Sequence, residues 1–146
     1  MKVFLVLSVI FSLISISCSN EPEPINFGTD QCAHCKMTIE DPRFGAEIVT
    51  KKGKVFKFDA AECMVNYINK GKISETDVES FLVIDFSRPS TLVNALEAAY
   101  LISPNLPSPM GANLSSYLAK NSAETQKNSV GGELFNWDGL KQKLKN

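Results

Sequence analysis

The chain has 146 residues, a formal net charge of -1, 44% hydrophobic and 21% charged residues. That length holds about one domain. The lack of surplus Lys and Arg argues against a nucleic-acid binder working by phosphate neutralisation, and the apolar content against wholesale disorder.

Met1-Lys2 followed by an apolar run over residues 3–16 reads as an export signal. The run is too short, and too directly followed by Ser-Asn-Glu-Pro-Glu-Pro, to favour a spanning helix. Ser15-Ile16-Ser17 ahead of Cys18 resembles a lipoprotein signal, in which Cys18 is lipidated and becomes the mature N-terminus. Ser15 stands where Leu is usual, and a plain signal cleaved near Ser17 is the alternative. The expected organisation is a signal over 1–17, the lipidated Cys and a tether with two Glu-Pro pairs over 18–27, and one domain over 28–146. A domain of that size buries a core without disulfides. Its cysteines therefore serve chemistry or a single bridge.

Residues 44–50 and 54–58 alternate apolar and polar side chains and predict a β-hairpin turning at Gly53. Lys51, Lys52, Lys54 and Lys57 cluster about the turn, as a solvated, aggregation-resistant edge or a docking surface for an acidic partner. Residues 59–69 change to helical spacing, with Met64 and Ile68 on one face, Asp59 as N-cap and Gly71 as terminator. Residues 72–79 read as a connection and 81–86 as a strand. Residues 95–102 fit helix or strand, their Tyr-Leu-Ile ending favouring strand. Three prolines in 103–109 make a rigid loop that presents Met110-Gly111. Residues 112–129 look helical up to Gly131-Gly132, followed by a short strand over 133–137 and a terminal helix over 138–145.

The chemistry concentrates in Cys32-Ala33-His34-Cys35-Lys36-Met37. Two intervening residues let the Cys32 and Cys35 sulfurs converge from one turn, and in an extended segment Cys35 and Met37 share a face. Thiolate plus thioether is a soft donor set that selects Cu(I) over hard cations, whereas zinc sites rarely use a thioether. A c-type haem attachment needs His directly after the second Cys, where Lys36 stands. A structural disulfide and a redox pair remain as alternatives. Cys63 and Asp59 are further candidate ligands, Cys63 alternatively packing as a small hydrophobe. Met110 on its proline-held loop looks like a placed ligand, the alternative being an ordinary loop contact. His34, the single histidine, is either a donor or a bystander.

Taken in order, Cys18, Cys35-Lys36-Met37-Thr38-Ile39, Asp41-Pro42-Arg43-Phe44, Phe58-Asp59-Ala60-Ala61-Glu62-Cys63-Met64, Pro109-Met110-Gly111-Ala112-Asn113-Leu114 and Gly131-Gly132-Glu133 leading to Trp137 resemble the NosL family. These are periplasmic copper lipoproteins that assist assembly of the copper centres of nitrous oxide reductase. Where the family commonly has Gly between the Cys and Met, this chain has Lys36. The resemblance implies an α+β fold of two small related β-β-α-type units in one compact domain, similar to the organomercurial lyases. It further implies Cu(I) binding without catalysis, with Cys35, Met37 and Met110 as ligands and Cys32, His34, Asp59 and Cys63 as additional candidates. Nitrous oxide reductase is the implied client and a membrane copper transporter a further candidate partner. The implied location is the bacterial cell envelope, lipid-anchored and facing the periplasm. General copper handling in the envelope, a thiol oxidoreductase and an organomercurial-lyase-like enzyme are the alternatives.

Overall fold

A computed structural model describes residues 20–145. The export signal and Cys18 lie outside the described residues. Ala46–Thr50 (β1) and Val55–Phe58 (β2) form the expected hairpin, paired Ala46 with Phe58 through Val49 with Val55. Gly53 turns it with φ 76°, a conformation that costs glycine nothing. Ala61–Asn69 (α1) follows, ending where Gly71, at φ 65°, lets Gly71 N–H reach the Ile68 carbonyl and Lys72 N–H the Tyr67 carbonyl. Val78–Ile84 (β3) pairs antiparallel with β1, and Leu92–Asn94 (β4) with β3, giving one sheet in the order β2-β1-β3-β4.

Ala99–Ile102 (β5), Leu114–Tyr117 (β6), Lys120–Val130 (α2), Glu133–Phe135 (β7) and Trp137–Lys143 (α3) complete the chain. Their sheet has the order β6-β5-β7. Each half thus contains a β-β-α-β unit whose first strand lies between its other two, extended by β4 at the edge of the first sheet and by α3 after the second, and the fold is α+β built from two such units. α2 bears out the later part of the helix expected over 112–129, and β6 corrects its start, which is strand from Leu114 to Tyr117. Leu114 to Tyr117 is buried along its whole length, so no alternation marks it as a strand. Trp137 starts α3 rather than ending β7, because the Asn136 side chain accepts the Gly139 N–H at 2.9 Å and caps the helix. The edge strand β4, three residues long, leaves too short a pattern to read.

One core joins both units. Ile48, Phe58, Met64 and Val65 from the first half pack with Tyr100, Leu114, Trp137 and Leu140 from the second. Trp137 lies 5.6 Å from the Phe81 ring and 6.1 Å from the Tyr100 ring. The segment ahead of the domain is not free of it. Glu23 N–H donates to the Glu47 carboxylate at 3.0 Å, Lys57 Nζ donates to the Pro24 carbonyl at 2.8 Å, and Ile25 and Phe27 pack on the core. Among the described residues no helix is long and apolar enough to cross a membrane.

Candidate metal centre

Cys32 to Cys35 forms the expected turn, and the reversal continues to Met37 where an extended segment was considered for Cys35 to Met37. Cys32 N–H donates to the Met37 carbonyl (2.8 Å), Lys36 N–H to the Cys32 carbonyl (3.0 Å), and a Gln31–Thr38 bridge brackets the turn. Closing it puts Lys36 at φ 67°, in the left-handed region, which costs a residue with a β-carbon about 1–2 kcal/mol. Lys36 therefore adopts the conformation that glycine takes readily, and its Nζ donates to the Ala33 carbonyl at 2.8 Å. Ala33 N–H donates to the Lys57 carbonyl at 2.8 Å, fastening the turn to the end of β2.

The first turn of α1 brings the third sulfur. The Cys32, Cys35 and Cys63 sulfurs lie within 4.8 Å of one another. All three are free thiols, Cys32 and Cys63 buried and Cys35 half-buried. Their protons are unequally held. The Cys63 thiol donates to Cys32 and pulls it down to about 4, against the effect of burial and with help from the backbone N–H groups of Asp59, Cys35 and His34. That same bond, followed by burial and the Cys32 charge, pushes Cys63 far above its ordinary value. Burial raises Cys35, and the neighbouring Cys32 charge adds to the rise. Of the three, Cys32 is the sulfur that gives up its proton most readily and Cys63 the one that holds it most firmly.

Asp59 does not cap α1. Ala60 holds the cap position without a side-chain bond, and Asp59 itself is buried. Burial first, and then the Cys32 charge, pushes its carboxyl above its ordinary range. Asp59 lines a cleft of ≈ 480 Å³ with Lys36, Met37, Thr38, Glu40, Asp41 and Pro109. Met37 is 53% exposed there, and Met110, directly after Pro109, is 38% exposed. The cleft therefore sets the segment carrying Met37 beside the proline loop carrying Met110. His34 stands edge-on to Tyr67, ring centroids 6.4 Å apart. A larger cleft of ≈ 670 Å³, between β5, α2 and α3, is lined by Glu97, Lys120, Glu124, Leu134 and Phe135 among others and contains no sulfur ligand.

Glu62 was not among the residues expected from sequence. It is buried, yet its Oε1 accepts the Ser108 hydroxyl at 2.7 Å and the Ala112 N–H at 3.2 Å. Burial raises its carboxyl, against the lowering pull of the Ser108 and Ala112 bonds. Consecutive residues of α1 thus have two tasks: Cys63 completes the sulfur cluster, and Glu62 holds the loop on which Met110 sits. No local spacing announces this, because the partners are 46 and 50 positions away.

A profile of the NosL family matches residues 24–145, and the chain belongs to that family. No curated protein matches the chain. Among solved structures, the chain is similar to the copper chaperone NosL from Shewanella denitrificans, with a TM-score of 0.74 at 25% sequence identity over 86% of this chain and 98% of that one.

Proposed function

We propose that this member of the NosL family carries Cu(I) and hands it on without chemical turnover. The observation that carries the reading is the meeting of three cysteine sulfurs within 4.8 Å beside a cleft lined by Met37 and Pro109. Soft sulfur donors favour the monovalent ion over hard cations. The description of the Shewanella denitrificans relative as a copper chaperone supports a carrier rather than an enzyme.

Cys35, Met37 and Met110 hold the exchangeable ion, with Cys32 and Cys63 as its inner sulfur wall and Asp59 as a neighbouring carboxyl. Cys32, the most acidic of the three, is the first to meet a soft cation as a thiolate, and Cys35 and Cys63 release their protons as the ion is drawn in. Cys35 and the two methionines are the sulfurs within reach of solvent. An acceptor's ligands can therefore join the ion before the donor's leave, whereas a fully buried, saturated site would trap it. The recipient is the assembly pathway of nitrous oxide reductase. Lipidation of Cys18 holds the protein on a bacterial membrane facing the periplasm, and multiple acyl chains make such an anchor firm where one would be reversible.

X-ray absorption of the Cu(I)-loaded protein tests the site by counting sulfur against lighter donors. Sulfur-only coordination that loses one scatterer in Cys35→Ser supports it. A first shell dominated by nitrogen and oxygen would overturn it.

A further inference from the structure

The lysines at the β1–β2 turn have no role in the metal site, and their surroundings separate them into two groups. Lys57 is engaged: its Nζ lies 2.9 Å from Asp30 and 3.4 Å from Glu23. Lys51, Lys52 and Lys54 are exposed, and among the described residues no carboxylate lies within ion-pair distance of them. The turn that presents them is rigid. Thr50 accepts Gly53 N–H on its carbonyl and Lys54 N–H on its hydroxyl, both at 2.9 Å, and Lys51 N–H donates to the Asp77 carbonyl at 2.9 Å. Lys54 Nζ is placed 4.5 Å from the Phe56 ring centroid.

The start of the described chain ends up at this same turn, because the Asn20 side-chain amide donates to the Lys51 carbonyl at 3.1 Å. Cys18 precedes Asn20 by two residues, so covalent geometry keeps their Cα atoms within about 7 Å. A lipid on Cys18 would therefore enter the bilayer next to three unpaired lysines. The sulfur cluster lies at the other end of the hairpin, fastened to the Lys57 carbonyl through Ala33. Lys57 lies three residues beyond Lys54 along the chain, about 10 Å at the rise of a β-strand.

We propose that Lys51, Lys52 and Lys54 form a membrane-contact surface for anionic phospholipid headgroups, which stands the domain on its hairpin tip and turns the sulfur cluster away from the bilayer. The placement beside the anchor rests on lipidation at Cys18, whereas the lysine contact is a separate interaction. Each lysine near an anionic surface strengthens binding about fivefold. Three supply what the anchor does not: a preferred orientation. Salt weakens the contact, since exposed charges are screened.

The test uses the full-chain protein purified from bacterial membranes and added to vesicles of phosphatidylcholine alone or mixed with phosphatidylglycerol. Sedimentation reports attachment, and amine-reactive labelling read by peptide mass spectrometry reports the environment of each lysine. The expected result is attachment to both vesicles, with labelling of Lys51, Lys52 and Lys54 slowed severalfold only where phosphatidylglycerol is present and restored by high salt. Lys120 and Lys127 on α2 keep their rates. The variant with Lys51→Glu, Lys52→Glu and Lys54→Glu still attaches to both vesicles, and phosphatidylglycerol no longer slows the labelling of any of its remaining lysines. Attachment to both with no lipid-dependent protection overturns the lysine surface and leaves the anchor standing. Attachment and protection only with phosphatidylglycerol overturns the anchor and supports the lysines. Attachment to neither overturns both.

Discussion

Replacing Glu62 by Ala removes the acceptor for the Ser108 hydroxyl and the Ala112 N–H at once. Hydrogen bonds to a carboxylate contribute about 1.5–3 kcal/mol each, neutral ones about 1 kcal/mol. The two share one oxygen and the loop relaxes towards water, so the net loss expected is about 2–4 kcal/mol. For a domain of this size that lowers the melting temperature by roughly 10 °C. Glu62→Gln keeps the acceptor oxygen and should cost less than half as much. Its effect also has a pH sign. Burial holds the native carboxyl above its ordinary value of 4.5, so the stability it contributes is complete below that value and is lost as pH rises through the raised one. Gln carries no such proton, and its stability relative to wild type should improve from acidic to neutral pH. Denaturant unfolding of the three proteins at two pH values measures this, and competition with a Cu(I) chelator measures the consequence for the site. Releasing the Met110 loop in Glu62→Ala should weaken Cu(I) binding about tenfold, or about 1.4 kcal/mol. An Ala variant as stable as wild type, with unchanged Cu(I) affinity, would refute the assignment of Glu62 as the loop's anchor.

Met37→Ala and Met110→Ala should each weaken Cu(I) about tenfold while leaving far-UV circular dichroism unchanged; chelator titration of each variant checks it. Because burial and the Cys32 charge raise Cys35, and the bond to Cys32 and burial raise Cys63, Cu(I) must displace thiol protons as it binds, and its affinity should rise between pH 6 and 8, by about tenfold per unit for each proton displaced. Titrations across that range would show a flat profile if thiols took no part. Lys36→Gly should stabilise the apo-protein or leave it unchanged, within about 1 kcal/mol, since relief of the left-handed strain is set against glycine's extra chain entropy; thermal unfolding decides. Gly132→Ala should destabilise by about 2 kcal/mol or more, because at φ 107° the new Cβ would collide with the Ile102 carbonyl and come within 2.8 Å of Ser103 Cβ. A denaturation midpoint equal to wild type would contradict that packing.

The sequence by itself determined what depends on near neighbours. The hairpin was legible from alternation over residues 44–58, α1 from the spacing of Met64 and Ile68, and the soft character of the site from three sulfurs in six residues. The tertiary structure decided what depends on burial and on distant partners. β6, Leu-Ser-Ser-Tyr, is buried on both faces with a serine on each, so no alternation marks it, and Asp59 proved to be buried ahead of α1, with Ala60 in the cap position. Convergence of Cys63 with Cys32 and Cys35 requires α1 to pack over the turn. The hold of Glu62 on Ser108 and Ala112 requires both β-β-α-β units to share one core, a long-range condition that no window of neighbouring residues encodes.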